Sequence, residues 1–212
     1  MSVQLGLFDA VKDLLLVSPV FLPGAIIICA VLILIFRKDR TTPEIRIVIF
    51  SLVFYYYLCV MLTHIVGIPT LRDWIRLSGL GESFFQPNIN LLPFQDGFRQ
   101  DSVLNIVLFM PLGFFCPLIS KRYRRVKNTV FTGFGLSLTI ELAQLFTMYR
   151  ATDIDDLITN TAGTLLGYAC FRLIHRLGIT ESHAAERRRE PADMRYMPVG
   201  MIVFVLLLGF FS

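Results

Sequence analysis

The stretch ELAQLFTMYRATDIDDLITNTAG, Glu141 to Gly163, decides how the chain folds, because it sets four carboxylates, an arginine, a glutamine and an asparagine between two apolar runs. It reads as the end of one membrane helix, a turn at 149–152 and the start of another. In the first helix Gly133, Ser137, Glu141, Gln144 and Met148 recur at steps of three and four, so they share one face. In the second, Asp153, Asp156, Asn160, Gly163 and Gly167 follow the same spacing. Two antiparallel helices joined by a short turn can press these stripes together, and the small-xxx-small pair Gly163 and Gly167 permits close approach. Asp153 suits the N-cap, and Asp155 and Asp156 form an acidic first turn that favours the helix dipole. That reading leaves Glu141 unexplained. Helix rise places it about 12 Å in from the turn, where an ionised carboxylate is costly unless paired or protonated. Arg150 is the nearest candidate cation, and Gln144 and Asn160 can donate hydrogen bonds to a buried network.

Outward from this stretch most of the chain is apolar. Of 212 residues, 55% are apolar and only 17% charged, too greasy a balance for a soluble domain. Six apolar runs stand out, 14–36, 45–66, 103–119, 129–148, 157–174 and 197–211, and most approach the roughly 17 to 25 residues a membrane helix needs. The last spans only about 22 Å by helix rise, which leaves a short span, a re-entrant piece or an interfacial tail open. The first has no basic stretch ahead of it and no break at a small-residue cleavage site, so it reads as a retained helix. The fold expected is an all-α polytopic bundle of five to six transmembrane helices, forming one integral domain over 1–212.

Basic residues set the orientation. The loops after the first, third and fifth runs collect most of the 20 lysines and arginines, as cytoplasmic loops do. The alternation puts Glu141 to Gly163 on the exterior of a multi-pass membrane protein. The net charge of +4 belongs to loops that meet anionic lipid heads, so membrane lipids are partners and nucleic acid is not.

The connections differ in character. Residues 175–196 are polar and basic without apolar periodicity, and read as a mobile cytoplasmic linker before the short apolar segment 197–212. In the connection 67–102, Leu71, Trp74, Ile75 and Leu77 oppose Arg72, Asp73 and Arg76, as in a short helix in the headgroup layer. Beyond it Pro87, Pro93 and Gly97 break an apolar loop that holds Phe84, Phe85, Leu91, Leu92 and Phe94. The third run carries Asn105 near its outer end, with Pro111 and Gly113 marking a kink. Cys29, Cys59, Cys116 and Cys170 lie in four different runs, without metal-ligand spacing, and read as small packing residues. No cofactor or metal motif is legible.

Four ordered elements resemble the VanZ-like family of bacterial membrane proteins. They are Asn90, Leu91, Pro93 and Phe94; Asn105, Phe109, Pro111 and Gly113; Glu141 and Gln144; and Arg150, Asp153, Asp156, Asn160 and Gly163. The resemblance covers a core of 88–174, with the first two runs fitting as unspecific apolar spans. It implies a link to low-level resistance to the lipoglycopeptide teicoplanin. The residues then point to a polar pocket made of Asn90, Pro93, Phe94, Asn105, Glu141, Gln144, Arg150, Asp153, Asp156 and Asn160, supported by Pro111, Gly113, Gly163 and Gly167. Such a pocket would bind a lipoglycopeptide or a lipid-linked envelope precursor. The other reading is an enzyme acting on a lipid-linked substrate, with Glu141, Asp153 and Asp156 as acid, base or oxygen ligands.

Overall fold

A computed structural model describes residues 21–39, 45–66, 69–80, 85, 89–95, 97–146, 152–178 and 190–211. Helix α1 is Phe21–Lys38; α2 is Ile45–Val60, continued by a π-helical turn Met61–Val66; α3 is the short Leu71–Gly79. Then come α4, Gln100–Ile119, α5, Val126–Gln144, α6, Ile154–Arg176, and α7, Met197–Phe211. Two-residue strands β1, Ile89–Asn90, and β2, Thr152–Asp153, pair in parallel. The described residues are all-α apart from this bridge.

Helices α1, α2, α4, α5 and α7 surround one core, in which Leu32, Phe54, Leu58, Leu62, Phe109, Leu112 and Val205 are buried. The outward faces are apolar too: Ile26, Ile49, Leu104, Phe131, Leu165 and Val203 are all exposed. A bundle greasy on both sides is one that hydrocarbon, not water, surrounds. By length and composition three described helical stretches can cross a membrane, Ile45–Thr63, Gln100–Ile119 and Ala192–Phe211. Helices α5 and α6, which carry the polar stripes, are not among them.

The last of these stretches corrects the expectation of a marginal sixth run. A 3-10 turn over Ala192–Tyr196, inside the segment read as a mobile linker, leads straight into α7 and lengthens it to 20 residues. Met194 anchors the turn in the core, and α7 buries Met197, Met201 and Val205. It packs against α2 rather than lying apart as a tail. The polar Asp193 and Arg195 hide this continuity in the sequence.

The glycines also act differently from their expected role. Gly163 and Gly167 face α4, not α5: a Cβ on Gly163 would overlap the carbonyl oxygen of Ile106, and one on Gly167 that of Met110. Gly113 of α4 meets the Thr164 carbonyl in the same way. Helix α6 therefore sits in a groove between α4 and α5, its glycine edge on one and its Asn160 and Thr164 edge on the other. A stripe at helical spacing fixes a face of a helix, but not which neighbour fills it. Helix α4 runs on through Pro111 and Pro117. In the turn that Pro111 interrupts, the Leu108 carbonyl accepts a hydrogen bond from Tyr57 Oη at 2.7 Å.

The basic loops gather at one end. Lys38 Nζ meets Asp193 at 2.7 Å, the Lys121 amide donates to Glu190 Oε1 at 2.9 Å, and Arg122 lies 5.4 Å from the centre of the Tyr196 ring. At the opposite end α3 starts with a capping box, Thr70 and Asp73 each binding the other's amide. The Thr70 hydroxyl, donating to Asp73 Oδ2 at 2.8 Å, and then the Thr70 amide, at 3.0 Å, hold the Asp73 carboxyl below its usual range. Trp74 packs its ring against Phe146 and Phe210, and Phe85 joins Phe146, so aromatic rings from three parts of the chain meet here.

Candidate functional site

The polar site is built around the first turn of α6. Asp153 caps it, its Oδ1 accepting from the Asp155 amide at 3.0 Å. Its own amide donates to Glu141 Oε2 at 2.9 Å, and Thr152 Oγ1 donates to the Glu141 carbonyl at 2.9 Å. Helix α5 stops at Gln144 rather than continuing to 148. Glu141 is therefore in its last turn, under the returning strand β2, and not about 12 Å in from the helix end, as helix rise from residue 149 suggested. It is nonetheless only 3% exposed.

The broken apolar loop is tied to the same turn. Asn90 pairs with Asp153 across the β bridge, and its side chain accepts from the Leu92 amide at 3.3 Å. Asp155 Oδ1 accepts from the Phe94 amide at 2.8 Å. Phe94, following Pro93, has φ 51°, a left-handed conformation that is uncommon for a bulky residue. Its carbonyl accepts from the amide of Gly97, itself at φ 78°. The bond from Asp155 holds this turn over the end of α6. Leu91, Leu92 and Phe98 remain exposed around it.

Asp156 turns the other way, and Asn105 Nδ2 donates to it at 2.7 Å from α4. Between α4 and the start of α6 lies a cleft of about 500 Å³, lined by Asn105, Ser102, Asp153, Asp155 and Asp156 at its polar end and by Ile65, Leu104, Val107 and Leu108 beyond. Asp101, also lining it, is paired with Arg99 at 2.9 Å. The cleft is acidic at the mouth and greasy along its floor.

The expected pocket thus divides in two. Asn105, Asp153 and Asp156 line the cleft, and Asn90, Pro93 and Phe94 sit above it in the loop. Glu141 and Gln144 of α5 and Asn160 of α6 lie away from the cleft, buried where α5 and α6 meet. Asn160 Nδ2 donates to Ser137 Oγ at 3.0 Å, the contact between stripes that the spacing implied, while its Oδ1 is buried without a hydrogen-bond partner among the described residues. Arg150 lies outside the described residues. Glu141, Asp153 and Asp156 are not one ligand set, and among the described residues no three His, Cys, Asp or Glu side chains are grouped to hold a metal ion. Sequence reasoning passed over Asp101, Ser102 and the role of Asp155. The spacing of Asp101, Asn105 and Leu108, four then three, was the signal that could have placed Asp101 beside Asn105.

Asp156 precedes the apolar run of α6. Burial pushes its carboxyl up from the usual range, helped by the nearby charges of Asp153 and Asp101 and opposed by the Asn105 bond. The folded state therefore holds the proton more tightly than the unfolded one, and ionised Asp156 opposes folding. Asp156→Asn is expected to match wild-type stability below about pH 4 and to exceed it as pH rises through the raised folded value. Thermal unfolding across pH 3.5 to about 8 checks the sign.

A family model for VanZ/LLP1 matches residues 25–175, which takes in α1 to α6 and both strands of the bridge. The chain belongs to the VanZ/LLP1 family. It is also similar to Protein VanZ of Enterococcus faecium, with 31% identity over 127 residues, covering 59% of this chain and 73% of that one. No solved structure matches it. The VanZ/LLP1 match begins at residue 25, so it reaches further toward the N-terminus than the 88–174 core marked by the four sequence elements. Helix α7 lies beyond it.

Proposed function

We propose that this VanZ/LLP1 protein is a non-enzymatic binder of an amphiphile, its polar head in the cleft at the start of α6 and its acyl chain along α4. The observation that carries the reading is the gradient within one cleft, from Asp153, Asp155, Asp156 and Asn105 to Leu104, Val107 and Leu108. In this reading α5 and α6 also cross the bacterial cytoplasmic membrane, giving five or six spans, and the cleft opens to the exterior opposite the basic loops. Phe85, Leu91, Leu92 and Phe98 then rest at the level of the lipid heads.

Charge discriminates between ligand classes. Among the described residues, four aspartates against one arginine, already paired, make a mouth that accepts hydrogen bonds and repels anions. A lipoglycopeptide, rich in amide, amine and hydroxyl donors and carrying an acyl chain, suits it better than a pyrophosphate-linked envelope precursor. The similarity to Protein VanZ agrees with a role in low-level teicoplanin resistance.

Thermal stability of the detergent-purified protein tests this, since a ligand at a hundred times its Kd stabilises by about 2.7 kcal/mol. Teicoplanin is expected to raise the unfolding temperature of the wild type and of Gly135→Ala, and not of Asp153→Asn combined with Asn105→Ala. A lipid-linked precursor is expected to raise it less. No shift with either amphiphile, or equal shifts in the cleft variant, would overturn the reading.

A further inference from the structure

A second groove lies at the opposite, basic end of the bundle, and no part of the amphiphile reading uses it. Its volume is about 470 Å³, and it runs between α5 and α7. Val199, Ile202, Val203 and Leu206 on α7 face Phe131 and Leu136 on α5. The α7 residues recur at steps of three and four, so that helix offers one continuous apolar stripe, while α5 adds Phe131 and Leu136 among the smaller Thr132, Gly135 and Thr139. Val203 and Phe131 remain 47% and 71% exposed. Beyond the mouth, Thr132 and Thr139 donate to the Asn128 and Gly135 carbonyls of their own helix, at 2.9 and 2.8 Å, and make no demand on the groove's contents.

The mouth is cationic. Arg122 lies over the Tyr196 ring at 5.4 Å, and Asn128 Nδ2 holds the Arg122 carbonyl at 2.7 Å. Exposed Lys127 and Arg195 flank Asn128 and Tyr196 in the chain. Among the described residues the nearby acids are engaged elsewhere, Asp193 with Lys38 and Glu190 with the Lys121 amide. From Asn128 to Thr139 the groove follows α5 for about 16 Å at 1.5 Å per residue, close to half of the roughly 30 Å hydrocarbon core.

We infer that this groove holds one anionic phospholipid of the leaflet at the basic end, its phosphate at Arg122 and one acyl chain between α5 and α7. Depth, apolar lining and the charge at the mouth all fit that occupant. The site completes the bundle where α5 and α7 line a common gap.

Native mass spectrometry of the detergent-purified full chain tests it, using phosphatidylglycerol and phosphatidylcholine with identical acyl chains as probes. The wild type is expected to hold its first phosphatidylglycerol more tightly than its first phosphatidylcholine. Arg122→Gln is expected to weaken the former about fivefold, the worth of one surface cation near an anionic lipid, and to leave the latter unchanged. Gly135→Leu, at a position where an added Cβ meets nothing within 4 Å, is expected to fill the groove and weaken both. Equal affinity for the two lipids in the wild type, or unchanged phosphatidylglycerol binding in both variants, overturns the inference. So does a dimer that Gly135→Leu dissociates, which would give the groove to a second copy of the chain. Should Gly135→Leu fail to fold, Arg122→Gln alone decides by the same two lipids.

Discussion

A Gly167→Leu chain is expected not to accumulate as folded protein. The α4 and α6 backbones meet with glycine on both sides, and even a Cβ at 167 enters the Met110 carbonyl. Overpacking of a close contact typically costs about 1 to 3 kcal/mol and more when backbone must move. Here the obstructing atom is a carbonyl oxygen of a packed helix, so relief requires separating α4 from α6 and with it opening the cleft. Gly167→Ala is expected to be milder but in the same direction. Gly135→Ala, on an exposed face of α5, should be neutral or stabilising by up to about 1 kcal/mol through helix propensity. Monodispersity and thermal unfolding of the three variants in detergent measure this order, and equal behaviour at 167 and 135 would refute the packing account.

Glu141→Ala should be the second most damaging change. The carboxylate accepts from the Asp153 amide, the residue that caps α6 and pairs with Asn90. Truncation leaves that amide without its acceptor and opens a small cavity, together worth about 2 to 4 kcal/mol. Glu141→Gln keeps an acceptor oxygen in place, so a loss of about 1 kcal/mol or less is expected. Hydrogen exchange at the amides of Asp153 to Asp156 should rise in the alanine variant and stay near wild type in the glutamine one. If both variants lose stability equally, charge at Glu141 and not its hydrogen bond is what the fold needs.

Periodicity made much of this legible. The five apolar runs from residue 45 onward became helices within a few residues of their ends, the first run is helical from residue 21 with 14–20 outside the described residues, and the spacing of Ser137 and Asn160 put those two side chains in contact. Partner choice was not legible, because Gly163 and Gly167 share a face with Asn160 and that face spans two neighbours. Nor was the β bridge, since a two-residue strand carries no alternation to read. Its formation brings Asn90 to Asp153 across sixty residues of chain. The end of α5 at Gln144 lay hidden because Leu145, Phe146 and Met148 continue the apolar run after the hydrogen-bonded helix has stopped. That early stop moved Glu141 from mid-helix to a helix end and separated it from the cleft.

The most direct measurement is photo-crosslinking with a benzophenone amino acid placed at Leu104, which lines the cleft, and separately at Leu142, exposed on α5 away from it. With teicoplanin present, the Leu104 probe should capture the antibiotic and the Leu142 probe should not, and Asp153→Asn with Asn105→Ala should abolish the capture. Equal labelling from both positions, or labelling from Leu104 that survives the cleft substitutions, would contradict binding of an amphiphile at the start of α6.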